Sequence, residues 1–221
     1  MSFTPRLFLI RLTLKQDAYL PFLKWFAVRH APALIECGFY SANSFLSLTN
    51  DHKTVFNLHE IPGTKVFESE MYRDLVLSDD DFRTNIIPTF EHRSNTIFRQ
   101  VSQLSQGSVD SGSRFPSTSH VALFSIEGFG SDNSAVTYFD SDIAPHFAAA
   151  KGFAHARLCT KDGEHPSGPS SESNWIVVSE WTSATDANTF VNSLADSTTG
   201  PIKNLGIGTL AGRLRSTKNI D

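Results

Sequence analysis

One stretch of this chain returns, altered, in its second half, and the duplication limits the possible architecture more than any other feature. HAPALIECGFYSA, His30 to Ala42, faces IAPHFAAAKGFAHA, Ile143 to Ala156, with one extra residue between proline and glycine in the second copy. NLHEI faces VVSEW, which sets Glu60 opposite Glu180, and KVFESEMY faces TDANTFVN. A period of roughly 100–120 residues means two domain-sized copies rather than a solenoid.

Each copy reads as βαββαβ. In the first, RLFLIRLTL is strand-like, and from about Gln16 the residues Leu20, Leu23, Ala27, His30 or Ala31, and Leu34 recur at helical spacing. Pro32 lacks an N–H and clashes with the carbonyl of Val28, so this helix kinks or restarts there, and Cys37-Gly38 ends it. FYSANSFLSL and TVFNLHEI read as strands around an NDHK turn. A helical region follows from about Lys65 to Glu91, split near LSDDD, where Ser78 or Asp79 can cap a new helix, and SNTIFRQVSQL closes the copy. The second copy repeats the order, with KDGEHPSGPSSES as a polar loop. The expected division is 1–103, a Ser/Gly-rich linker over 104–118, and 119–221.

A βαββαβ unit is the ferredoxin-like module, with helices on one face of an antiparallel sheet. The other face must also be covered, or a large apolar patch is exposed. The fold expected is α+β: two ferredoxin-like repeats packed sheet to sheet, enclosing a cavity, as a dimeric-α/β-barrel-type fold within one chain.

Composition excludes several roles. The chain has 221 residues, 19 basic against 23 acidic, and no extended basic run, so nucleic acid and anionic membranes are not expected partners. The apolar run near the N-terminus is short and broken by Arg11, which does not suit a signal peptide, and no stretch has the ~18 apolar residues of a membrane helix. Two cysteines without a metal-type spacing point to a reducing, cytoplasmic setting. The 18 phenylalanines suit a packed core or a pocket for an apolar ligand.

His30 is the leading candidate for chemistry. It lies on the apolar stripe beside Pro32, in one copy only, and an imidazole can donate or accept a proton near neutral pH. The other reading is a core histidine bonded to a backbone carbonyl. Glu60 and Glu180 sit at equivalent strand ends, as general bases or as structural carboxylates. His59 adjoins Glu60, and adjacent strand residues face opposite sides, so these two cannot line one cavity. Tyr72 could donate a phenolic hydrogen bond or serve as core. His155 and Arg157 alternate with Phe153, which reads as one strand face and a pair that could hold an anion or carbonyl. Phe39 and Trp181 complete the candidate binding set, while Trp25 and Cys37 read as structural. No metal site is expected from the dispersed histidines.

FAVRHAPALIECGFYSA resembles the helix-to-strand signature of the dimeric α+β barrel superfamily, in particular EthD-like proteins. HEIPGTKVFESEMYRDL with FEHRSNTIFRQV, and KGFAHARL with NWIVVSEWTSATDAN, are similar to later parts of tandem members. A fainter likeness, in the tandem layout and the helix before His30, points to bacterial chalcone isomerases. The sequence departs from the pattern at Arg29, where an acidic residue precedes the histidine, and at Ser141-Asp142-Ile143. The resemblance implies a cavity for a small aromatic or polyketide-like molecule. It further implies a cofactor-independent lyase, isomerase, cyclase or monooxygenase with His30 as acid/base, helped by Glu60 and Tyr72. Phe39, His59, His155, Arg157, Glu180 and Trp181 would then be binding residues. A non-catalytic binding protein and a haem-dependent enzyme of the same fold are the alternatives, and open sheet edges leave room for a homodimer.

Overall fold

The computed structural model of the chain describes residues 6–48, 54–106, 118–166, 170, 172–197 and 202–215. The NDHK turn, most of the Ser/Gly-rich linker and part of the polar loop lie outside them.

The first copy runs β1 (Arg6–Leu14), α1 (Tyr19–Trp25), a π turn (Phe26–His30), α2 (Ala31–Glu36), β2 (Ser41–Ser47) and β3 (Thr54–Ile61). It ends with α3 (Glu70–Ser78), a second π turn (Phe82–Ile86) and β4 (Phe90–Ser105). Its strand order is β4-β1-β3-β2, with β1 and β2 both antiparallel to β3. The second copy has β5 (His120–Ile126), α4 (Asp132–Tyr138), a π turn (Phe139–Ile143), α5 (Ala144–Ala149) and β6 (Phe153–Glu164). It closes with β7 (Trp175–Trp181), α6 (Ala184–Ser197) and β8 (Ile202–Arg215), in the order β8-β5-β7-β6. Both copies are thus ferredoxin-like βαββαβ units.

The compact units do not follow a cut at the linker. One comprises residues 1–98, 162–171 and 210–221, and the other 99–161 and 172–209. The end of β6 and the loop after it, from the second copy, therefore belong to the first compact unit, and the last strand of each copy runs from one unit into the other.

Among the described residues three π turns occur, and each is followed by one residue and then a proline: FAVRH-Ala31-Pro32, FRTNI-Ile87-Pro88 and FDSDI-Ala144-Pro145. The N–H of Ala31 donates to the Phe26 carbonyl, five residues back, and Ile87 to Phe82 and Ala144 to Phe139 do the same. A proline in a regular α-helix removes one N–H and drives its ring into the carbonyl four residues earlier. Inserting one residue into the turn relieves that collision without breaking the helix. The fifth residue of each turn faces inward. Ile143 is fully buried and Ile86 nearly so, whereas in the first turn this place is taken by His30.

The helical stripe is phased differently from the reading based on Leu20 and Ala27. Both are exposed, and Phe22, Trp25 and Phe26 are buried instead. Three- and four-residue steps fit either set, and the larger aromatic faces gain more from burial. They pack on the β1–β3 face that carries Phe8, Leu12 and Val55. In the second unit Phe139, Phe147, Phe153, Trp181 and Phe190 form the corresponding core. A register shift between Phe153 and His155 corrects the expected alternation there. The bulge places Phe153 with Trp181 on the helix-covered face, and His155 opposite Glu180 on the other.

The recurring Gly-Phe closes α2 and α5 with left-handed glycines, Gly38 at φ 101° and Gly152 at φ 74°. A Cβ on Gly38 would meet open space, but one on Gly152 would come within 2.5 Å of Asp186 Oδ2. Gly38→Ala should cost about 1 kcal/mol from backbone strain alone, and Gly152→Ala should cost more because the clash adds to it. Chemical denaturation of the two variants checks that order.

Candidate functional site

The first unit contains a cavity of about 210 Å³ between its sheet and its own helices, not on the opposite sheet face where sequence reasoning set it. Phe8, Ile10, Leu12 and Asn57 form its floor, while Phe22, Trp25, His30, Tyr72 and Phe82 come from the helical side. Arg93 and Asn95 enter from β4, and His165 from the segment after β6.

His30 lies against Trp25, ring centroids 4.3 Å apart at 24°, and Phe82 stacks on Trp25 at 4.9 Å and 9°. Asp79 fixes this aromatic wall. Its Oδ1 accepts the Phe82 N–H at 2.9 Å and its Oδ2 accepts the Trp25 indole N–H at 3.3 Å. The expected capping role of Asp79 is therefore real, and it joins two segments that are distant in sequence. His30 Nδ1 is sealed from solvent and has no hydrogen-bond partner among the described residues. Burial pushes its pKa down from 6.5 to about 4, partly opposed by the negative charge of Asp79. The ring is neutral at pH 7.

At the other side, the Tyr72 hydroxyl and His165 Nε2 are 2.8 Å apart. His165 stacks on Phe8 at 5.0 Å, and Arg6 and Asp162 form an ion pair of 2.8 Å at the start of its segment. Burial, then the nearby Arg93 charge, lowers the His165 pKa to about 4. Burial raises that of Tyr72, with Arg93 opposing. This pair is a neutral phenol and a neutral imidazole, able to present a hydrogen-bond donor to a ligand oxygen. Asn57 Oδ1 is buried without a partner among the described residues. Leaving such atoms unpaired costs about 1–3 kcal/mol each, a cost that a polar ligand would offset.

The remaining candidates separate. His59 is fully buried behind the wall, stacked on Phe26 at 6.1 Å, and does not line the cavity. The Asn43 N–H donates to its Nδ1 at 3.3 Å, so the hydrogen resides on Nε2, which has no partner among the described residues. Burial and the neighbouring His30 lower its pKa to about 3. Phe39 is buried and stacks on Tyr72 at 6.0 Å, one layer back. Glu60 is buried on the opposite sheet face from His59. His155, Arg157, Glu180 and Trp181 lie in the second unit. There Arg157 Nε donates to His155 Nε2 at 3.2 Å, which leaves His155 Nδ1 to donate to Ser105 Oγ at 2.6 Å. Glu180 Oε2 accepts the Thr118 N–H at 3.3 Å, and Trp181 is core, its indole donating to Ser179. Of the residues singled out from sequence, His30 and Tyr72 share the cavity. Trp25, taken as packing, is one of its walls. Asn57, Arg93, Asn95 and His165 were missed, and for His165 the one local signal is an aromatic ring within an otherwise polar loop.

No group of three or more His, Cys, Asp or Glu side chains able to hold a metal ion occurs among the described residues, and no helix among them is long and apolar enough to cross a membrane.

Three histidines, His59 and His165 buried and His30 half-buried, give the protein an acid-sensitive core. The unfolded chain takes up protons on these rings near pH 6.5, and the folded protein only near pH 3–4. Between those values the unfolded state binds more protons, so stability falls as pH falls. Thermal unfolding should drop by roughly 5 °C or more from pH 7 to 4.5. His59→Phe, set among Phe8, Phe26 and Phe39, should flatten that dependence by up to about 1.4 kcal/mol per pH unit. An unchanged slope in calorimetry would contradict the assignment.

No protein-family profile matches the chain, and no curated protein sequence does. Solved structures do. An anthrone oxidase-like protein aligns at TM-score 0.58 and 10% identity, covering 97% of this chain and 94% of its own. A candidate monooxygenase from Lactobacillus acidophilus aligns at 0.53 and 10%, covering 96% of both. A haem-binding protein from Thermus thermophilus aligns at 0.52 and 12%, covering 94% of this chain and 91% of its own. At such identities the likeness concerns fold. The chain has the dimeric α+β barrel-type fold, built from two ferredoxin-like repeats in a single chain.

Proposed function

We propose that the protein is an enzyme of oxidative type, acting without metal or flavin on a compact aromatic or polyketide-like molecule in the cavity of the first unit. The observation that carries this reading is His30: a polar ring, its Nδ1 unpartnered among the described residues, in the inward place that isoleucine fills in the two other π turns described. The aromatic walls suit a flat ring, and a volume of about 210 Å³ exceeds the ~150 Å³ of a cavity that accepts benzene. The likeness to anthrone oxidase-like and monooxygenase-type structures supports oxidation over other proton-transfer chemistries, and the resemblance of the His30 segment to EthD-like proteins agrees with a small-molecule role.

In this reading the substrate carries a methylene activated by an adjacent ring and carbonyl. The neutral His30 ring accepts a methylene proton as the Tyr72–His165 pair donates a hydrogen bond to the carbonyl oxygen, where negative charge develops. The resulting carbanion is electron-rich enough to react with O2 directly. Overall, CH2 and O2 become C=O and H2O. Asp79 favours His30 in its protonated state and holds Trp25 and Phe82 around it. A solved structure of this fold is a haem-binding protein, but a cavity of about 210 Å³ is too small for a porphyrin, and the His30 ring lies face to face with Trp25.

His30→Ile separates chemistry from packing. Isoleucine suits the place, so thermal stability should be equal to or above wild type, while oxygen consumption with an anthrone-type substrate should fall by about 100-fold or more. A variant that is destabilised and keeps its turnover would make His30 a structural residue. Saturable binding of the substrate without oxygen uptake by the wild-type protein would make the cavity a binding site only.

A further inference from the structure

The cavity lining combines neutral aromatic rings with a charge. Trp25, Phe82 and the uncharged His30 form one neutral cluster of it. The lining also holds a permanent cation, Arg93, on the same face of β4 as Asn95. Arg93 forms no ion pair with a carboxylate among the described residues, although Arg6, Arg29, Arg83 and Arg99 all do. Its charge is felt by both Tyr72 and His165, which puts it near the hydroxyl–imidazole pair. Tyr72 stays protonated at neutral pH and His165 uncharged, so Arg93 is the charged side chain of the cavity lining. A guanidinium with no carboxylate partner among the described residues, in one lining with two neutral hydrogen-bonding groups and aromatic rings, is complementary to a flat ring bearing an oxygen anion.

We propose that the natural ligand of this cavity is an aromatic carboxylate, its ring against Trp25 and its carboxylate on Arg93. This deepens the function proposed above and rests on the same cavity being the binding site. The carboxylate is a handle that is not consumed. It orients the ring so that the reacting carbon meets His30, and Arg93 is a specificity-determining residue. Because Arg93 is itself exposed, water and salt weaken the contact, and a moderate preference of about tenfold is expected.

The test compares benzoate with benzamide, which has nearly the same shape and no charge, by ligand-observed NMR titration at pH 7. Wild-type protein should bind benzoate about tenfold more tightly, the gap should shrink at 0.5 M salt, and Arg93→Gln should reduce it to threefold or less with benzamide affinity unchanged. Arg93 is on the surface, and circular dichroism would confirm that the variant folds. Equal affinities in the wild type, or a preference that survives in Arg93→Gln, would overturn the assignment while leaving an aromatic-binding cavity in place. Failure of both probes to bind the wild-type protein would remove this proposal and the aromatic-substrate reading together.

Discussion

The first unit depends on a missing hydrogen. Pro32 has no N–H and cannot sit in a regular helical turn, so the chain inserts a π turn before it, with the Ala31 N–H reaching the Phe26 carbonyl. That single extra residue decides which side chain faces the sheet at the end of the turn, and in the first copy it is His30. The same constraint at Pro88 sets Phe82 against Trp25 in one aromatic wall, and Asp79 ties the two segments together through one carboxylate. Cavity shape and histidine placement both follow from prolines that a regular helix would reject.

The cavity is expensive in the way functional sites often are. The core elsewhere is dominated by aromatic and aliphatic side chains, yet the cavity is lined by two histidines, two asparagines and a tyrosine, with His30 Nδ1 and Asn57 Oδ1 unpaired among the described residues. A second copy of the same unit shows the contrast. Its π turn ends in Ile143, and the core beneath it is filled by Phe139, Phe147 and Phe190.

The polar cluster of the second unit is of a different kind. His155, Arg157, Ser105 and Glu180 are partly or fully buried, but His155 has both ring nitrogens engaged, one by Arg157 and one by Ser105, and Glu180 accepts a backbone N–H. A histidine whose lone pair already accepts from an arginine is a poor base, and this network reads as a means of satisfying polar groups on a covered sheet face.

The sequence by itself determined the βαββαβ order, because apolar alternation, Gly-Phe and Ala-Pro are local signals that neighbouring residues alone enforce, but not every strand end: β4 begins at Phe90 and β6 runs on to Glu164, into the expected polar loop. It also singled out His30, since comparing the two copies isolates a histidine where the other has Ile143. It could not phase the first helix, because Leu20 and Phe22 fit the same spacing and only packing against Phe8 and Leu12 chooses between them. Nor could it see the bulge that turns His155 away from Phe153, a matter of pairing with β7. Least legible was the assembly of the site. Arg93, Asn57 and His165 lie far apart along the chain, and His165 belongs by sequence to the second copy, yet the fold gathers its segment into the first compact unit. Spacing along a chain carries no record of such long-range closure; tertiary structure alone brings Tyr72 and His165 to 2.8 Å.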